Sequence, residues 1–177
     1  MTIRLRPVEE DDLPFLYRLT SDPGSTGEFQ WYGFQNPHRM RAGWQDNGML
    51  GDDGGILIIA NGDDKIGFMS WSKQVANRAS YYWSMGLIVA PEHRGQGHGT
   101  EAQRLLVRYL FDHTTANRIE ASTEITNVAE QRALEKAGFT REGVIRGSGF
   151  RAGEWRDGVR YSMIRSDLAS SGGQATA

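Results

Sequence analysis

Two hydrophobic rhythms alternate along the chain, one of period two and one near 3.6. Residues 3–7 (IRLRP) alternate and predict a strand. Residues 9–20 place Leu13, Leu16 and Leu19 on one helical side, behind an acidic cluster, EEDD, that suits a helix N-terminus. A loop rich in glycine and aromatic residues spans 21–35, and 37–47 predicts a second helix. The run GILIIA at 55–60 reads as a buried strand. A turn at 61–64 joins it to a strand at 65–74, making a hairpin. Residues 80–90 predict a strand, 100–113 a helix, 118–123 a strand and 127–137 a helix. Strands at 139–150 and 155–165 form a last hairpin across Ala152 and Gly153. This order of strands and helices predicts an α+β fold with a mixed sheet, in one domain over 1–168. The small, polar residues 169–177 predict a disordered tail.

Composition narrows the function. The chain has 177 residues, enough for one domain with a full core, and a net charge of −2. No basic tract stands out, so a nucleic-acid partner is not expected. No apolar run approaches membrane-spanning length, and the first residues lack the layout of a signal peptide. The chain has no cysteine, which removes disulfides, thiol nucleophiles and thiolate metal sites together. His38, His93, His98 and His113 have no zinc-like spacing, so no metal is expected. A cytoplasmic location fits this composition.

The stretch with the most chemistry is LIVAPEHRGQGHGT at 87–100. A strand that ends in a glycine-rich turn and opens a helix is a phosphate site. A nucleotide P-loop would need a Lys followed by Ser or Thr after its last glycine, and none is present. A dinucleotide fingerprint fits poorly, because the spacing is G-x-G-x-G and Glu120 is the only acid near the right distance. Arg94, Gly95, Gln96, Gly97, His98 and Gly99 do match R/Q-x-x-G-x-G/A. A tight helix-opening turn without a ligand is the plainer alternative.

That hexapeptide resembles the pyrophosphate loop of the GNAT N-acetyltransferase superfamily. A second segment, NVAEQRALEKAGF from Asn127, reads locally as a capped helix, with Asn127 as N-cap, Glu130 completing a capping box and Gly138 as the stop. It is also similar to N-x-A-S-x-R-V-L-E-K-x-G-F of the Rim-type branch, which includes ribosomal-protein N-terminal acetyltransferases. A third, GFRAGEWRDGVRYSMIRSDL, resembles that branch's terminal hairpin. The opening IRLRP followed by EEDDL is similar to the family's first strand and helix.

The resemblance implies a sheet of about seven strands, splayed between the fourth and fifth and flanked by about four helices. It implies acetyl-coenzyme A as co-substrate, with no metal. Backbone groups at Leu87 and Val89 would meet the pantetheine arm, as would Asn127. The loop from Arg94 to Thr100 would hold the pyrophosphate. Acetyl transfer would then go directly to an amine, so the protein's work is positioning and proton handling.

Acid and base groups are harder to place. Some members carry a Glu where this chain has Trp83, others a Tyr where it has Leu134, and the Rim-type branch often a Ser where it has Glu130. Glu130 could be a proton donor if burial raises its pKa, although a capping role is the simpler reading. Glu28 lies among Phe29, Trp31, Tyr32 and Phe34 and is a candidate base, with a surface carboxylate in a mobile loop as the alternative; Asp157 is a further catalytic candidate, with a strand-end salt bridge as its alternative. Phe29, Trp31, Tyr32 and Trp83 are expected to bind the acceptor. Aromatic residues beside a carboxylate suit a small, cationic or ring-bearing amine, such as an amino acid derivative or an antibiotic-like metabolite. Two other functions stay open: acetylation of a protein's N-terminal α-amine, and coenzyme A binding without catalysis. A homodimer is compatible with the exposed hairpin.

Overall fold

The computed structural model describes residues 2–171. The sheet begins with β1 (Ile3–Pro7), paired antiparallel to β3 (Gly54–Asn61). Next come a 3₁₀ turn (Glu10–Asp12) and α1 (Leu13–Ser21), where a single helix is predicted. Pro14 ends the first turn's freedom and is tolerated at the start of α1, where no N–H bond is lost. The predicted loop at 21–35 contains a short helix, α2 (Pro23–Thr26), capped by the Asp22 carboxylate, which accepts the Ser25 N–H at 2.8 Å. The second predicted helix forms as α3 (Arg39–Asn47), and a two-residue strand, β2 (Leu50–Gly51), pairs with β3.

The hairpin of β3 and β4 (Asp64–Asn77) continues into β5 (Ser80–Val89). After β5 come a 3₁₀ turn, α4 (His98–His113), β6 (Arg118–Glu124) and α5 (Val128–Ala137). The last hairpin is β7 (Thr140–Arg151) and β8 (Glu154–Ile164), and α6 (Arg165–Ser171) follows it. Sequence periodicity gave no sign of α6. The tail expected over 169–177 enters α6 as far as Ser171, and 172–177 lie outside the described residues.

The strand order is β1-β3-β4-β5-β6-β8-β7, with β2 beside β3. All pairings are antiparallel except β5 with β6. Period-two alternation divides the core between the sheet's two faces. Leu57, Met69, Trp71, Met85 and Ile119 face α4 and α5, whose Leu106, Leu110 and Leu134 are buried against them. Ile58, Phe68 and Ile88 face the other way, toward Leu13, Leu16 and Leu19 of α1. That second core is tied down by Asp12, 1 % exposed, which receives Arg6 at 2.6 Å and Lys65 at 2.8 Å.

Candidate active site

The site begins where the sheet comes apart. β5 and β6 run parallel but pair only over Trp83–Met85 and Ile119–Ala121. Beyond Met85 the strands diverge, while β5 stays bonded to β4 up to Val89. The Ala90 N–H goes to the β4 side, donating to the Ile66 carbonyl at 2.9 Å. By strand alternation, the backbone groups of Leu87 and Val89 point the other way, into the opening. The Leu87 carbonyl is met there by the Gln30 side-chain amide at 2.8 Å.

At the end of β5 the chain turns through Gly95 and Gly97, with φ of 73° and 81°, into α4. Those left-handed angles explain the glycines: a side chain there would be strained and would stand among the N–H groups. The first three N–H groups of α4, those of His98, Gly99 and Thr100, have no helical acceptor, and the helix dipole favours an anion beside them. Gly95, Gly97, His98, Gly99 and Thr100 all line a cleft of about 760 Å³. Arg132 and Lys136, one turn apart on α5, add two cations to its rim. This donor set, loop amides plus flanking cations, fits the pyrophosphate and phosphate groups of a coenzyme A.

Two of the expected coenzyme residues are engaged by the protein's own backbone. The Arg94 guanidinium lines the cleft and donates to the carbonyls of Val89 (2.8 Å) and Ser25 (2.6 Å), so it fastens the turn to α2. Gln96 is exposed and donates to the Glu92 carbonyl at 3.2 Å. Asn127 lines the cleft with both side-chain atoms in use: Oδ1 accepts the Glu130 N–H at 3.3 Å, and Nδ2 donates to Thr123 at 2.9 Å.

Glu130 departs from the capping box. The Asn127 N–H donates to the Glu124 carbonyl instead, and the Glu130 side chain turns inward to line the cleft. There Gln103 of α4 donates its amide to Oε1 at 2.7 Å. Burial pushes the Glu130 carboxyl up to about 7, against the opposing pull of the Gln103 hydrogen bond. An acid that titrates near neutrality is matched to proton transfer.

Glu28 is exposed, so the apolar enclosure expected around it is absent. It stands instead on a shared wall. With Gly27 it lines both the main cleft and a second pocket of about 430 Å³. Phe29 belongs to the main cleft; Trp31 and Tyr32 line the second pocket, with Phe150 and Arg151 arriving from the β7–β8 hairpin. Arg151 grips Glu124 (Nη2 to Oε2, 2.9 Å) and lies 5.6 Å from the Phe29 ring centre. Phe34, 92 % exposed, packs edge-on against Trp31 at 5.4 Å.

Trp83 and Asp157 take no part in the cleft. Trp83 is 4 % exposed in the core between sheet and α4, with its indole N–H on Thr114 at 3.0 Å. Its place on the α4-facing side of β5, before the strands diverge, puts it behind the site. Asp157 accepts the Gly147 N–H at 2.7 Å and so holds the irregular stretch of β7. Gln103, Gln30 and the hairpin contribution were missed from sequence. Gln103 did leave a trace: it is the one polar residue in the buried stripe Ala102, Gln103, Leu106, Val107, Leu110 of α4.

Residues 2–140 match the Acetyltransferase (GNAT) domain. The chain belongs to the GNAT acetyltransferase family. It is 34% identical over 111 residues to a probable N-acetyltransferase, YjcK, of Bacillus subtilis; the match covers 63% of this chain and 61% of that relative. The crystal structure of spermidine N-acetyltransferase from Vibrio cholerae in complex with CoA and spermine is similar with a TM-score of 0.80 at 19% identity, covering 94% of this chain and 98% of that one. RimL, a ribosomal L7/L12 α-N-protein acetyltransferase in complex with coenzyme A, is similar with a TM-score of 0.78 at 18% identity, covering 93% and 94%. At these identities the two structures establish the fold, Rim-type neighbour included, and leave the acceptor open. Among the described residues no group of side chains could hold a metal ion, and no helix is long and apolar enough to cross a membrane.

Proposed function

We propose that this chain transfers an acetyl group from acetyl-coenzyme A to the primary amine of a small molecule. One observation carries the reading: the cleft lined by the glycine turn shares Gly27 and Glu28 with a second, aromatic-lined pocket. The α4 turn and the cations Arg132 and Lys136 receive the phosphates. The N–H groups of Leu87 and Val89 hold the pantetheine arm and polarise the acetyl carbonyl, a form of oxyanion stabilisation. Trp31, Tyr32 and Phe150 take the body of the acceptor, and Glu28 attracts its ammonium; of the two protons the nitrogen sheds, one before attack and one as the amide forms, Glu28 receives one and water the other. The amine nitrogen bonds to the acetyl carbon as the carbon–sulfur bond breaks. Glu130 gives its proton to the departing thiolate and regains one from water in the open cleft.

A small amine is favoured over a protein N-terminus because the second pocket, at about 430 Å³, matches the size of small-molecule sites. The spermine-bound neighbour supports a cationic acceptor in this fold. The test is thiol release from acetyl-coenzyme A across a panel of small primary amines, spermidine and aminoglycosides among them, beside short peptides with free N-termini. Amine-dependent release with a small molecule is expected. Release with peptides alone would move the assignment to protein N-termini, and release with neither would leave a binding module.

A further inference from the structure

Gln103 is fully buried on the core side of α4, 0 % exposed, amid Ala102, Leu106 and Val107. Its Nε2 donates to Glu130 at 2.7 Å, yet among the described residues its Oε1 is buried without a partner. A buried, unpaired amide oxygen is costly, and a charged Glu130 can only accept, so it cannot cure the defect. A protonated Glu130 can. Its second oxygen then carries a hydrogen that Oε1 can accept, the second bond of an acid–amide pair whose first is the one from Nε2. Exchanging the amide's nitrogen and oxygen leads to the same place, since two oxygens at 2.7 Å need a proton between them.

We propose that Gln103 is a positioning residue that serves both protonation states of Glu130, so that the carboxyl can give up and retake a proton in place. The proposal rests on the reading of Glu130 as the acid that protonates the leaving thiolate. The amide N–H supports the carboxylate after proton release, and the amide oxygen accepts from the acid before it. The other charged groups around this cleft are Glu28 from the 27–34 loop, His93 and Arg94 from the turn, His98 from α4, and Arg132 and Lys136 from α5. Among the described residues none forms an ion pair with Glu130, and Arg94 is committed to carbonyls. Burial, opposed by Gln103, therefore governs its raised value.

The direct test is NMR of the ligand-free protein labelled with carbon-13 at Glu Cδ and nitrogen-15 at Gln Nε2, with the Glu130 signal identified by its loss in E130Q. The Glu130 carboxyl should titrate near pH 7, and the Gln103 amide should follow with the same midpoint. A Glu130 midpoint below about 5, or a Gln103 amide that does not move with it, overturns the proposal. In Q103L the midpoint should stay well above the ordinary carboxylate range, because burial remains; if that variant does not fold, the wild-type titration alone decides. A kinetic arm uses acetyl-coenzyme A and the best amine of the panel. Q103L should lose about tenfold in kcat, with KM for acetyl-coenzyme A within about twofold, and should cost nothing further in an E130Q background. Equal losses in both backgrounds overturn the proposal and leave the acid role of Glu130 standing. Undiminished kcat in E130Q removes that acid role itself.

Discussion

The two walls of the cleft are built by different means. On the coenzyme side, regular elements present their backbone: diverging strands expose the N–H groups of Leu87 and Val89, and the turn at Gly95 and Gly97 opens α4. On the proposed acceptor side, side chains would do the recognising, and they come from a loop and from a distant hairpin tip. A backbone site needs few particular residues, chiefly glycines, and tolerates change elsewhere. A side-chain site can be rewritten by a few substitutions while the fold persists. That contrast explains how one fold, at identities near 19%, hosts relatives named for spermidine and for a ribosomal protein.

The strongest challenge to this division is Gly97→Val. A β-branched residue at φ 81° forces the turn out of shape and blocks the loop N–H groups. Affinity for acetyl-coenzyme A should fall at least about 100-fold, roughly 3 kcal/mol. Calorimetric titration with coenzyme A reads this directly, and circular dichroism should find the fold unchanged. Binding within about threefold of wild type would mean the turn is not the phosphate site.

Glu130 sits between the two walls and is tested through stability. Its folded value of about 7 lies above the ordinary 4.5, so between these pH values the folded protein keeps a proton that the unfolded chain has lost. Its contribution is complete below about pH 4.5, declines as pH rises to about 7, and is then constant. E130Q cannot titrate, so its stability relative to wild type should improve across that window by at most about 3 kcal/mol. Denaturant unfolding at pH 4.5, 6 and 8 measures the gap, and a gap independent of pH would contradict a buried, protonated Glu130.

On the acceptor wall, Trp31→Ala and Glu28→Ala should each raise KM for the amine about tenfold, near 1.4 kcal/mol, and leave coenzyme binding alone. Smaller still is the effect of Trp83→Phe, which removes one hydrogen bond to Thr114 behind the site. It should cost about 1 kcal/mol of stability in thermal unfolding and change kcat/KM by less than about twofold.

How much of this could be read in the sequence follows the same division. Backbone sites leave local signatures: Arg94 to Thr100 and Asn127 to Phe139 are contiguous, so the two segments that line the main cleft were legible in order. Trp83 misled because position on a strand does not say whether the neighbouring strand is still attached; it lies where β6 still pairs. Glu130 misled because the capping-box spacing was present and its carboxyl nevertheless found Gln103, a contact across 27 residues. Phe150 and Arg151 reach the second pocket only through the β7–β8 hairpin, a juxtaposition that no local pattern encodes. Arg94 was recognised as part of the motif, but its three carbonyl partners depend on α2 coming alongside the turn.

The division of labour itself is tested most directly by crossed kinetics: KM for acetyl-coenzyme A and KM for the best small amine, measured side by side in wild type, Gly97→Val and Trp31→Ala. The predicted result is a crossed pattern, with Gly97→Val raising only the coenzyme term and Trp31→Ala only the amine term. A Trp31→Ala protein that loses coenzyme affinity as severely as Gly97→Val, or one whose amine KM is unchanged, would contradict the account.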